Sequence, residues 1–216
     1  MSYKAVLFDL DGTLLNTLDD LADSMNSALR ELGCPEHPVN AYKHFVGDGV
    51  LTLAKRTLPN ERLDDPTIQK AVTLMRAQYS QRWSAKTKPY PGILELLESL
   101  TARKIRCAVL SNKPDDFTKL MVAKMLSRGT FEHVAGARAG VPHKPDPAGA
   151  LEIAKLMKLS PAEFVYLGDT NTDMRTAVSA GMFPVGALWG FREAKELSDN
   201  GAKVLVKEPR EVLDLF

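Results

Sequence analysis

The sequence predicts an α/β protein, a doubly wound parallel (Rossmann-like) sheet core with one inserted α-helical cap subdomain. Two observations carry this. Short, continuously apolar runs alternate with segments of helical periodicity, which suits strands covered on both faces. The alternation is interrupted once, between residues 15 and 85, by a stretch with helical periodicity alone. A structureless loop of that length would be improbable, so the interruption is a helical subdomain.

The elements follow in order. Ala5–Phe8 is the first strand, and it runs straight into Asp9 and Asp11. In the insertion, Leu21, Met25, Ala28, Leu29 and Leu32 form one helical stripe, and Ile68, Val72, Met75, Tyr79 and Trp83 form another. Pro89, Pro91 and Gly92 mark the return to the core. Ile93, Leu96, Leu97 and Leu100 then recur at helical spacing, as do Phe117, Leu120, Met121 and Met125, and later Ala150, Ile153, Ala154 and Met157. Cys107–Leu110, Phe164–Leu167 and Val204–Val206 read as strands, with weaker strand signals at His133–Gly136 and Pro184–Leu188. Strand–helix alternation of this kind means right-handed crossovers in one parallel sheet. The expected boundaries are 1–14 with 86–216 for the core and 15–85 for the helical insertion.

Composition narrows the function. The chain has 216 residues, 44% hydrophobic and 25% charged, the balance of an ordinary globular protein. Its formal net charge of +1 provides no field to gather nucleic acid or anionic lipid. No apolar stretch approaches the roughly 20 residues that span a bilayer, and Ala5–Phe8 is too short for a signal-peptide core. Two cysteines, Cys34 and Cys107, make no disulfide framework. A reduced, cytoplasmic protein acting on a small molecule, without nucleic acid or membrane as partner and as monomer or homodimer, is the expectation.

In an open α/β sheet, ligands bind at the carboxyl ends of the strands. The polar residues there are Asp9 and Asp11, Ser111 and Asn112, and Asp169 and Asp173, with Lys144 in a Pro-flanked turn before a helix. Carboxylates so close raise each other's proton affinity unless a cation lies between them. Hard oxygen ligands without clustered His or Cys suit Mg²⁺ better than zinc. A hydroxyl, an amide and the N–H groups of a following turn at Ser111-Asn112 can hold a phosphate at a helix N-terminus.

These segments resemble the motifs of the haloacid dehalogenase superfamily of phosphotransferases. Asp9-x-Asp11-Gly12-Thr13 is similar to its first motif, Ser111 to its second, Lys144 to its third and Gly168-Asp169-x-x-x-Asp173 to its fourth. All four stand in the family's order across most of the chain. The insertion resembles the family's helical cap. Phe45-Val46-Gly47-Asp48-Gly49 and Trp189-Gly190-Phe191-Arg192 are similar to segments of its phosphoglycolate phosphatases. Asn16 departs from the pattern, since many relatives have Asp there.

The resemblance implies a Mg²⁺-dependent phosphomonoesterase. Asp9 would be the nucleophile that forms an aspartyl-phosphate, and Asp11 the acid and base for the leaving oxygen and the water. Mg²⁺ would be held by Asp9, the Asp11 backbone carbonyl, Asp169 and, directly or through water, Asp173. Ser111, Asn112 and Lys144 would bind the phosphoryl group, Thr13 would orient the nucleophile, and Gly47 would meet the substrate from the cap. A β-phosphoglucomutase-like sugar phosphomutase is the alternative, distinguished by isomerised sugar phosphate in place of free phosphate. Asp11 argues against a haloacid dehalogenase, whose members lack it. The insertion argues against a non-catalytic phospho-accepting module.

Overall fold

A computed structural model describes residues 3–126 and 130–216. In chain order the elements are β1 (Ala5–Phe8), β2 (Leu15–Asn16), α1 (Leu18–Glu31), α2 (Tyr42–Phe45), α3 (Val50–Thr57), α4 (Asp65–Arg82) and β3 (Lys88–Pro89). They continue as α5 (Ile93–Ala102), β4 (Arg106–Pro114), α6 (Asp115–Met125), β5 (Phe131–Ala137), α7 (Ala148–Leu156) and β6 (Phe164–Gly168). The chain ends with α8 (Asn171–Ala180), β7 (Phe183–Ala187), α9 (Ala194–Asp199) and β8 (Val204–Val206). It divides into two compact units, residues 1–15 with 89–216, and residues 16–88.

The first unit is a six-stranded sheet in the order β5-β4-β1-β6-β7-β8. All its pairings are parallel, with Ala5 against Arg106 on one side of β1 and against Phe164 on the other. Every residue of β1 and of β6 is buried, which is why neither shows polar alternation. On one face Ala5, Leu7, Leu110 and Tyr166 pack with Ile153 and Ala154 of α7 and Ala177 of α8. From β1 the chain builds outward first through β4 and β5, then through β6 to β8 on the other side. That reversal makes the carboxyl ends of β1, β4 and β6 a topological switch point, where such sheets bind ligands.

Two helical stripes differ from the sequence expectation. In α6 the buried residues are Thr118, Met121 and Val122, while Leu120 is 38% exposed. Thr118 satisfies its hydroxyl by donating to the carbonyls of Lys113 and Pro114, so a nominally polar residue takes the inner face. In α4 the buried face runs through Ile68, Ala71, Met75 and Tyr79, with Ala71 taking the place expected for Val72.

The second unit is α1 to α4, with α1 packed along α4. Asp64 caps α4 by accepting the Thr67 N–H at 2.9 Å. Asp20, buried on α1, accepts the backbone N–H groups of Lys86 (3.1 and 3.0 Å) and Thr87 (2.8 Å) and the Thr87 hydroxyl (2.7 Å). One carboxylate thus ties the unit's entry to its exit. His37 Nε2 lies 2.8 Å from the Thr57 carbonyl. The Gly47 turn is gripped by Arg56, which donates to the Phe45 carbonyl (3.1 Å) and pairs with Asp48 at 2.6 Å. No helix among the described residues is long and apolar enough to cross a membrane.

Candidate active site

β1 delivers Asp9 directly, its N–H donating to the Leu167 carbonyl of β6 at 3.0 Å. Asp169 follows β6, and Asp173 lies in the first turn of α8, where Thr170 and Asp173 form a reciprocal capping box. One oxygen from each of Asp9, Asp169 and Asp173 lies within 4.8 Å of the other two, and all three residues are buried.

The three carboxylates are held unequally. Asp169 accepts the Thr13 hydroxyl at 2.8 Å on one oxygen and the Phe191 N–H at 2.9 Å on the other. Asp173 accepts the Thr170 hydroxyl (2.7 Å) and N–H (3.1 Å) on one oxygen and Lys144 Nζ (2.7 Å) on the other. Asp9 Oδ1 is buried and accepts no hydrogen bond. Lys144 Nζ lies 2.8 Å from it, an ion pair.

Burial, with Asp173 beside it, pushes the Asp9 carboxyl up to about 7 despite Lys144. Burial and the charges of Asp173 and Asp9 raise Asp169 well above the carboxylate range, against the Phe191 N–H and the Thr13 hydroxyl. Burial opposes the charge on Lys144, yet Asp173 and Asp9 outweigh it and hold the ammonium well above its ordinary value. A hydrogen-bond-free oxygen amid three buried carboxylates, with no sulfur or imidazole in the cluster, fits a hard divalent cation.

Close approach explains two glycines. Gly12 has φ +92°, and a Cβ there would lie 2.3 Å from Asp169 Oδ2. A Cβ at Gly190 would lie 2.3 Å from the Asp169 Cβ. Gly12→Ala should therefore cost about 1–3 kcal/mol in backbone strain alone, with the steric clash added. Urea unfolding measures it, and a stability within about 0.5 kcal/mol of wild type would contradict the packing described.

The other expected site residues fall as follows. Ser111 is buried in β4 and its Oγ accepts the Lys113 N–H at 3.2 Å. Ser111 and Asn112 stand in extended backbone, not in a turn at a helix N-terminus, because β4 runs on to Pro114 before α6 begins. The Asn112 amide donates to the Lys144 carbonyl (3.0 Å) and accepts the Lys144 N–H (2.9 Å), clamping that loop. Lys144 Nζ also donates to the Leu110 carbonyl at 3.1 Å. The Asp11 carboxylate faces Lys113 Nζ at 3.1 and 3.2 Å. Trp189 Nε1 donates to the Thr13 carbonyl at 2.9 Å, so the Trp189–Phe191 segment holds both Thr13 and Asp169. Gly47, at φ +116°, belongs to the second unit.

Lys113 is the residue that sequence reasoning missed. It lies in β4 with its side chain only 3% exposed, and its one mark in the sequence is its place directly after Ser111-Asn112.

A carboxylate cluster with a buried lysine, at the switch point of a parallel sheet, is a hydrolase arrangement of a recognisable kind. The chain belongs to the haloacid dehalogenase-like hydrolase family, whose model matches residues 6–187. Among the curated relatives, the phosphoglycolate phosphatase of Nitrosospira multiformis is 30% identical over 216 residues, covering 99% of this chain and 95% of that protein. The phosphoglycolate phosphatase of Pseudomonas putida KT2440 is 28% identical over 214 residues, covering 97% of this chain and 78% of the other. The crystal structure of a predicted phosphoglycolate phosphatase from Haemophilus somnus superposes with a TM-score of 0.92 at 26% identity, covering 100% and 98% of the two chains.

Proposed function

We propose that the protein is a Mg²⁺-dependent phosphomonoesterase acting on a small phosphorylated metabolite, with 2-phosphoglycolate, the substrate in its relatives' names, as the leading candidate. The observation that carries this reading is the buried Asp9–Asp169–Asp173 cluster with Lys144 set into it.

Asp9 is the nucleophile. Its carboxylate attacks phosphorus and the ester P–O bond breaks, leaving an aspartyl-phosphate. Asp11 gives a proton to the departing oxygen, then takes one from the water that releases phosphate and restores Asp9. Lys144, fixed by its oxygen partners, keeps positive charge where the phosphoryl oxygens gather. Ser111 Oγ accepts from Lys113 and keeps its own proton for a phosphoryl oxygen. Thr13 acts by holding Asp169, and Asn112 by holding Lys144. Asp9, Asp169 and Asp173, with the Asp11 carbonyl, are the residues that would hold Mg²⁺. When bound, the ion supplies charge stabilisation to the phosphoryl oxygens. Residues 15–85 are read as a cap on the 1–14 and 86–216 core, with the Gly47 turn selecting the substrate in the cytoplasm.

Phosphate release from a panel of small monoesters, with Mg²⁺ and with EDTA, tests this. Turnover led by a short phosphorylated acid and lost in EDTA is expected. Isomerised sugar phosphate without free phosphate would establish the phosphomutase instead.

The raised carboxyls add a pH dependence. Asp9 binds its proton more tightly folded than unfolded, so its contribution to stability is full below about pH 4 and lost as pH rises through about 7. Mg²⁺ needs the ionised forms, so the gain in Tm on adding it should be small at pH 5 and large at pH 8. Thermal melts in EDTA and in Mg²⁺ measure this, and an equal gain at both pH values would contradict it.

A further inference from the structure

Two lysines are buried at this site and are built differently. Lys144 Nζ has the Leu110 carbonyl, Asp173 and Asp9 around it at 3.1, 2.7 and 2.8 Å, a charge that cannot move without breaking several contacts. Lys113 Nζ bridges the two Asp11 oxygens at 3.1 and 3.2 Å. That is longer than the roughly 2.7–2.9 Å of a well-formed ammonium–carboxylate hydrogen bond. The Lys113 side chain is 3% exposed and that of Asp11 is 17% exposed, so the pair opens on its carboxylate side. The Lys113 backbone is anchored on both sides, its N–H donating to Ser111 Oγ (3.2 Å) and its carbonyl accepting from Thr118 (3.1 Å). The exchange concerns the side chain, whose Nζ faces the Asp11 carboxylate.

A buried ammonium cannot be left without counter-charge, but the counter-charge can change. A phosphate dianion entering the site competes with Asp11 for the same cation and is repelled by Asp11 itself. We propose that Lys113 exchanges partners: it holds Asp11 in the free enzyme, and turns to an anionic oxygen of the phosphate ligand when that binds, releasing Asp11 to face the substrate. Lys113 is on this account a ligand-binding residue, and Asp11 the internal anion it gives up. The ligand's identity rests on the phosphatase reading above, while the exchange rests on the Lys113–Asp11 geometry.

Calorimetric titration with inorganic phosphate in excess Mg²⁺ tests it in a double-mutant cycle. Asp11→Asn removes the internal competitor, and phosphate should bind about tenfold tighter than to wild type. Lys113→Met should bind about tenfold more weakly, and in that background Asp11→Asn should add less than about twofold. Lys113→Arg keeps the charge and should preserve the gain. Lys113→Gln serves if the Met variant does not fold. An Asp11→Asn gain of the same size with and without Lys113 would mark general charge repulsion and overturn the exchange, as would unchanged binding in Lys113→Met or no phosphate binding by wild type. Ester hydrolysis is assayed separately. A wild type that shows the coupling but hydrolyses no phosphate ester loses the proposed function and keeps the exchange.

Discussion

Asp9→Asn loses at least about a thousandfold in kcat, because an amide cannot attack phosphorus and the covalent route is closed. The same change alters stability in the opposite direction. At pH 8 the wild-type Asp9 is ionised against a proton affinity raised to about 7 by burial and Asp173. Removing that charge relieves the cluster, so in EDTA the variant should melt above wild type, by about 2–4 °C per kcal/mol at this chain length. In Mg²⁺ the order should reverse, since the variant has lost a ligand. Two melts and one assay check this: a variant that retains a tenth of the activity would remove Asp9 as nucleophile, and one that is less stable in EDTA would contradict the buried-charge account.

Lys144→Ala is expected to be the most damaging single change to the fold at this site. It strands Asp9 and Asp173, side chains 7% and 0% exposed, without their cation. Breaking one partner out of a buried ion pair costs about 3–5 kcal/mol, and kcat/KM should fall at least about a hundredfold with the loss of a preorganised charge. The stability cost should shrink toward pH 5, where Asp9 is protonated, and be greatest above pH 7, where it is ionised. Urea unfolding at the two pH values gives the difference, and a loss that is flat with pH would place the effect in packing instead of charge.

How much of this was legible in the sequence depends on the range of the interaction concerned. Ala5–Phe8 and Phe164–Leu167 declared themselves because a strand buried on both faces has no reason to alternate. The stripes Ile93–Leu100 and Ala150–Met157 were legible for the matching reason in helices. The strands Leu15–Asn16 and Lys88–Pro89 were not, because two residues carry no period. Nor was the inward turn of Thr118, which depends on where its hydroxyl can donate. At the site, the residue types and their order were visible, but the partnerships were not. Asn112 reads as one more polar group at a strand end until Lys144, thirty-two positions away, is seen to take both ends of its amide. Lys113 was passed over because a lysine usually means solvent, and only the fold sets Asp11 opposite it.

The tie made by Asp20 bears on how the chain tolerates being interrupted. Closing a loop costs entropy that grows only as the logarithm of its length. Here a carboxylate within the inserted segment fastens its own first helix to its last residues, across 66 and 67 positions of sequence. Once that fastening forms, the chain leaving β1 re-enters the sheet's connectivity as though it had made a short turn. β1 and β4 can find register with little regard to what lies between them. The helical segment is therefore free to lengthen, shorten or change its surface without renegotiating the sheet, so long as Asp20 and the Lys86–Thr87 backbone still meet.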